Sequence, residues 1–233
     1  MSSSRGWGLV WAIVALFVGP IARADGEEPV DCAREVAARV QARYDGVRDL
    51  EARFTQTSHS VAFERAGQDL QASGVAVFAK PGRMRWTYEK PEPSLVVSDG
   101  QTLWVYDPQA HEAQEFPVGQ GFLSGSAVQF LLGEGQILSA FDVRALDCAS
   151  ETVHLLLTPK QDATYEQLEL WVTARSGDVK GTAVVDLFGN RTEVSFESLR
   201  IDLRPDPAIF RFQAGPGVSV LRAPEASGRD SSR

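Results

Sequence analysis

From Leu50 onward the chain is a succession of short runs in which apolar residues recur at every second position, with Gly, Pro, Asp, Asn and Ser between them. The clearest is 83–89, where Met84, Trp86 and Tyr88 alternate with Arg83, Arg85, Thr87 and Glu89. A period of two belongs to a strand with one apolar and one wet face, and it rules out a helix there. Comparable runs lie at 54–58, 75–79, 95–97, 103–106, 141–146, 153–158, 168–173, 182–187 and 192–201. Ser98-Asp99-Gly100 separates two of them as a tight turn would, and Gly189-Asn190 separates the last pair. Before them Ala33, Val36, Ala37, Val40, Tyr44 and Val47 recur at helical spacing, with Asp31 placed to cap the helix. The stretch 119–135 carries Phe122, Leu123, Val128, Phe130, Leu131 and Leu132 among Gly and Ser, and reads as one or two short helices. Eight or more consecutive strands with one early helix and one helical insertion predict a mainly β (α+β) fold. The expected form is an incomplete antiparallel β-barrel or a strongly curved sheet.

The first residues set the compartment. Arg5 precedes a thirteen-residue uncharged run, 6–18, followed by Pro20 and Ala22-Arg23-Ala24. That is the layout of a secretory signal peptide, 1–24, cleaved after Ala24; a bilayer span would need about 20 apolar residues. A single domain is expected over 25–222 and a disordered tail over 223–233, where no apolar residue larger than alanine occurs. Cys32 lacks the close apolar run that lipidation requires. Its one possible partner is Cys148, 116 residues on. In an oxidising compartment, without a Cys-x-x-Cys, two cysteines favour a disulfide over a metal or redox site, with two buried thiols as the alternative. A bridge over that loop length is worth roughly 4–5 kcal/mol in the chain-entropy treatment.

The formal net charge is −8, and loss of Arg5 and Arg23 with the signal peptide makes the exported chain more acidic still. This argues against nucleic acid and anionic lipid surfaces as partners. Catalytic patterns are missing. His59, His111 and His154 show no metal-ligand spacing, the serine of 121–125 stands one place late for a nucleophile elbow, and 133–135 is no phosphate cradle. Asp142 and Asp147 are the pair that could converge, against a solvated surface as the alternative. Neither cofactor nor metal is expected. If Met84, Trp86, Leu103, Val105, Leu155, Leu157, Leu168 and Leu170 share one concave face, that face is apolar throughout. Residues alone leave open whether it forms a filled core or a ligand cavity.

The ordered set Lys80-Pro81, Arg83-Met84-Arg85-Trp86 and Ser98-Asp99-Gly100-Gln101-Thr102-Leu103-Trp104-Val105-Tyr106-Asp107-Pro108 resembles the LolA family. These are the periplasmic carriers that ferry lipoproteins between the membranes of Gram-negative bacteria. The likeness extends over 36–220, through Ile209-Phe210-Arg211-Phe212 and the 215–220 ending. It implies a hydrophobic cavity under lid helices, a chaperone that is not an enzyme, and a monomer without cofactors. Its implied cargo is triacylated lipoprotein, loaded by an ATP-driven inner-membrane complex and delivered to an outer-membrane receptor. The implied acyl-chain contacts are Met84, Trp86, Val96, Leu103 and Val105, joined by Leu155, Leu157 and Leu170, with Phe130 and Leu131 on the lid. Many relatives have arginine before the entry proline. Lys80 stands there in this chain, and a lysine cannot form a planar fork of hydrogen bonds, so it is a lid-fastening candidate of different chemistry. Trp86→Glu is expected to spare the fold and weaken acyl-chain binding. A LolB-like receptor module and a periplasmic hydrolase are the competing readings.

Overall fold

The computed structural model describes residues 29–62, 69–118 and 135–222. Helix α1 (Pro29–Asp45) is followed by β1 (Asp49–His59), β2 (Leu70–Ala79), β3 (Arg83–Lys90), β4 (Ser94–Asp99), β5 (Thr102–Asp107) and β6 (Glu112–Pro117). After the short α2 (Ile137–Ala140) come β7 (Phe141–Ala145), β8 (Thr152–Pro159), β9 (Tyr165–Thr173), β10 (Val179–Asp186) and β11 (Arg191–Ile201). A 3-10 turn (Pro207–Phe210) and β12 (Ser219–Arg222) close the described chain. All twelve strands form one sheet in the order β12-β6-β5-β4-β3-β2-β1-β11-β10-β9-β8-β7. It is two antiparallel meanders joined by β1 against β11, with β12 added parallel to β6. The edges β7 and β12 do not pair with one another, so the sheet is open.

The apolar stripe read from the sequence is what α1 buries. Ala33, Val36, Ala37, Val40 and Tyr44 enter one cluster with Leu103 of β5 and with Leu155 and Leu157 of β8, strands near opposite ends of the sheet order. The helix packs on β7 and β8 and reaches the β2–β3 turn through Lys80, strands far apart in the order of the curved sheet. Asp31 lies inside the first turn of α1 rather than capping it, where its carboxylate still faces the positive end of the helix dipole.

The turn expected at 98–100 joins β4 to β5. Asp99 Oδ1 accepts from the amides of Gln101 and Thr102, both at 2.9 Å, and Gly100 takes φ +97°. Two strands escaped the sequence reading. β6 (Glu-Ala-Gln-Glu-Phe-Pro) offers Phe116 to the concave face and buries only Ala113 on the other, and β12 has four residues at an edge. Edge and near-edge strands bury little, so their apolar period is weak. The signal segment, the 119–134 insertion with Phe130 and Leu131, and the 223–233 tail lie outside the described residues.

On the outer face, the C-terminal segment crosses β2 to β5. Phe210 is buried against Val77 and Ala79, Arg83 lies over its ring at 5.4 Å, and Arg85 Nη1 donates to the carbonyl of Ile209 at 2.8 Å. Phe212 continues across Trp104 and Tyr106, with centroids at 5.2 and 5.1 Å.

Candidate functional site

Register decides which side chains share the concave face, because residues directly opposite across a ladder point the same way. Trp86 faces Val96, which faces Val105; Met84 faces Ser98, which faces Leu103. In the other meander Leu155 is opposite Leu170 and Leu157 opposite Leu168. Met84, Trp86, Leu103, Leu155, Leu157, Leu168 and Leu170 are buried in one cluster with α1, and Val96 packs against it half-buried. Val105 has the predicted orientation by register but stands outside that packed cluster.

At the centre of the face is a group of rings. Trp86 meets Phe54 at 4.7 Å and Phe78 at 5.5 Å edge-on, stacks near Tyr88 at 6.5 Å, and lies 6.4 Å from Phe196. Phe54, Phe78 and Phe196 are not among the residues that the sequence singles out. They lie on three different strands, so their convergence depends on register. Gly74 makes the convergence possible. It sits between Phe54 and Tyr88 in the ladders, and a Cβ there would come within 2.0 Å of the Thr87 carbonyl oxygen. Toward the end of β1 the face becomes polar: Tyr88 donates to Gln56 Oε1 at 3.1 Å, and Gln56 donates to Ser58 at 3.2 Å. Burial pushes the Tyr88 hydroxyl pKa up, so it remains a donor.

Helix α1 is fastened at one end of the curved sheet. Lys80 Nζ donates to the carbonyl of Tyr44 and, at 3.4 Å, to that of Asp45, carbonyls in the last turn of α1. The Lys80 ammonium thus reaches a helix terminus as a single point charge, without a planar fork. Arg43 Nε donates to Asp178 Oδ1 at 2.8 Å, and the Val179 amide donates to the Tyr44 hydroxyl at 3.1 Å. The Ser176 hydroxyl and then Arg43 hold the Asp178 carboxyl below its usual range. Gly177, at φ +73°, admits the helix: a Cβ there would meet the Arg39 carbonyl at 2.7 Å. At the start of α1 a disulfide joins Cys32 to Cys148, with Cα atoms 6.3 Å apart. Farther along the helix, Gln41 Oε1 accepts from the Ile137 amide of α2 at 2.9 Å.

No charged side chain described in the structure lies in the concave cluster. Buried Asp49 accepts from the amides of Leu203 and Arg204 on the other face. Buried Glu169 is on the outer face of β9, bonded to Arg191 Nη2 at 3.1 Å and His154 Nε2 at 2.9 Å, beside a His154–Trp171 stack at 4.5 Å. Burial raises the Glu169 carboxyl pKa, but the hydrogen bonds and charge of Arg191, then those of His154, outweigh it and hold it low. Asp142 and Asp147 do not converge. Asp142 is exposed on β7 opposite Lys160 at 3.8 Å, while Asp147 closes a turn with Ala149 and Ser150. Among the described residues no group of three His, Cys, Asp or Glu could hold a metal ion, and no helix is long and apolar enough to cross a membrane.

Among the described residues, the concave face is thus lined mainly by apolar side chains and lies under a fastened helix. The sequence pattern of the family described as outer membrane lipoprotein carrier protein LolA matches residues 45–213. The chain is 32% identical over 186 residues to the outer-membrane lipoprotein carrier protein of Chromobacterium violaceum, covering 79% of this chain and 86% of that one. It is 28% identical over 175 residues to the protein of the same name from Dechloromonas aromatica, covering 75% and 81%. In structure it is similar to an uncharacterized conserved protein from Thermus thermophilus, with a TM-score of 0.50 at 14% identity, over 82% of this chain and 99% of that one.

Proposed function

Because the chain belongs to the LolA family of outer-membrane lipoprotein carriers, we propose that it is itself a carrier, receiving the acyl chains of a lipoprotein against its concave face. The observation that carries this reading is the mainly apolar cluster that runs from Leu103 to Leu155 beneath α1, free of charged groups among the described residues. Moving an acyl chain into water costs about 0.8 kcal/mol per CH₂, so two or three chains hold a lipoprotein in a bilayer by tens of kcal/mol. A soluble shuttle must therefore replace the bilayer with an apolar surface of its own and give the cargo up to a better site.

In this reading Met84, Trp86, Val96, Leu103, Leu155, Leu157 and Leu170 contact acyl chains, and Val105 meets them at the margin. Lys80 fastens α1 over the interior in the cargo-free state. Phe130 and Leu131 supply the second cover that the family likeness implies. The chain works in the periplasm after cleavage at Ala24, takes cargo from an ATP-driven inner-membrane complex and passes it to an outer-membrane receptor. It acts as a monomer with neither nucleotide nor metal of its own.

The test is incubation of the exported protein with inner-membrane vesicles that hold a labelled triacylated lipoprotein, the releasing complex and ATP. A soluble one-to-one complex that forms only with ATP is expected. If none forms while a second carrier is loaded by the same vesicles, the reading fails.

A further inference from the structure

Among the described residues, the large apolar side chains exposed at the surface are not evenly spread. Leu146, Leu203 and Leu221 stand singly, whereas Val61, Leu70, Leu187 and Phe188 gather at one end of the molecule. Phe188 is 84% exposed, Leu70 71% and Leu187 61%. The gathering follows from the topology. β1 lies between β2 and β11, so the β1–β2 end and the β10–β11 turn are neighbours, with Ser58 opposite both Leu70 and Thr192. Asn190 Oδ1 clasps them, accepting from Ser60 Oγ and the Val61 amide, each at 3.0 Å. Gly189 lies close enough to Val61 that a Cβ there would be 3.3 Å from Val61 Cγ2.

This end is opposite the one occupied by α1, which is bound to the β2–β3, β7–β8 and β9–β10 turns through Lys80, Cys148 and Ala174. The turn is held in one shape. Asp186 Oδ1 accepts from the amides of Phe188 and Asn190 at 2.8 and 2.9 Å, and its Oδ2 accepts from Asn190 Nδ2 at 2.7 Å. Leu187 and Phe188 are thus presented without a further ordering cost, which is the property of an anchor for a partner.

We infer that the Leu187–Phe188 turn, with Val61 and Leu70 beside it, docks into an apolar pocket with a basic rim on the membrane protein that loads this chain. The inference rests on the carrier reading and deepens it. Charge selects the occupant. Among the described residues the patch is flanked by Asp69 and Asp186, the nearby Arg191 is committed to Glu169 and Glu193, and His59 is paired with Asp69; the whole chain is at −8. An anionic bilayer repels such a tip, whereas a protein pocket rimmed by lysine and arginine attracts it.

The experiment compares the exported protein with Leu187→Ser/Phe188→Ser, Phe188→Ser and Phe188→Lys in the ATP-dependent loading assay. Melting and uptake of an apolar dye by the interior are recorded for each, together with flotation on protein-free phosphatidylethanolamine–phosphatidylglycerol vesicles. Loading by the double variant should fall at least tenfold with melting and dye uptake unchanged, Phe188→Lys should load less than Phe188→Ser, and no protein should float. Equal loading by the double variant overturns the proposal. So does Phe188-dependent flotation, which would make the tip a lipid anchor, and loading by Phe188→Lys at or above that of Phe188→Ser removes the basic rim. If the unsubstituted protein is not loaded while a second carrier is, the carrier reading fails and the docking proposal with it.

Discussion

Trp86 is 9% exposed and enclosed by Phe54, Phe78, Tyr88 and Phe196, so Trp86→Ala should cost about 3–5 kcal/mol, read by urea unfolding. Trp86→Glu would bring a carboxylate among those rings and lower stability as well as binding, contrary to the expectation from sequence. The two effects separate at Val96, half-buried on the same face, where Val96→Asn should keep the fold and weaken acyl-chain uptake. Gly74→Ala must displace the Thr87 backbone and is expected to cost about 2–3 kcal/mol, visible as a lowered melting temperature. On the outer face, Glu169 has a pKa held below its unfolded value of about 4.3. Its stabilisation is complete above that value and disappears as pH falls through the lower folded one. The melting curves of the protein and of Glu169→Gln should therefore stand apart at pH 5 and draw together as the pH is lowered through the acid range. The orientation of Met84 and Trp86 was legible because alternation in their run is strict, whereas Leu103 stands in an unbroken apolar run and takes its face from register with Ser98. Phe54, Phe78 and Phe196 were not legible as a cluster, since ladder register and the gap at Gly74 bring them together.

Helix α1 was legible from its spacing; its fastening was not. The bond of Lys80 to carbonyls about 35 residues earlier in the chain, like those of Arg43 to Asp178 and of Arg39 to Ala174, joins positions with no local pattern. Lys80→Met removes a cation from a helix C-terminus and should cost about 1 kcal/mol, while an apolar dye enters the interior more readily. Cys32→Ser/Cys148→Ser removes the bridge at the other end of the helix, and the chain-entropy estimate of roughly 4–5 kcal/mol is an upper expectation for the loss in denaturant unfolding. The strands β6 and β12 were missed because an edge buries too little to impose a period. Their pairing nevertheless has a purpose that a truncation can expose. A chain ending at Gly217 leaves the backbone groups of β6 unpaired and should show concentration-dependent association by sedimentation.

For the whole molecule, the curved open sheet was legible as a class, from the number and spacing of alternating runs. The order of its strands was not, because nothing local in β1 announces that its second neighbour is β11. That seam, with Phe54 against Phe196 and Leu50 against Ile201, joins the two meanders. Its consequence lies in time rather than in space. Each meander can zip up hairpin by hairpin, but the seam between them must wait for residues about 140 positions further along the thread. Such remote pairing slows folding toward the range of milliseconds to seconds. During synthesis the greasy inner surface of the first half is made long before the half that will shelter it, so a newly made chain is most in need of protection in the interval before β11 arrives.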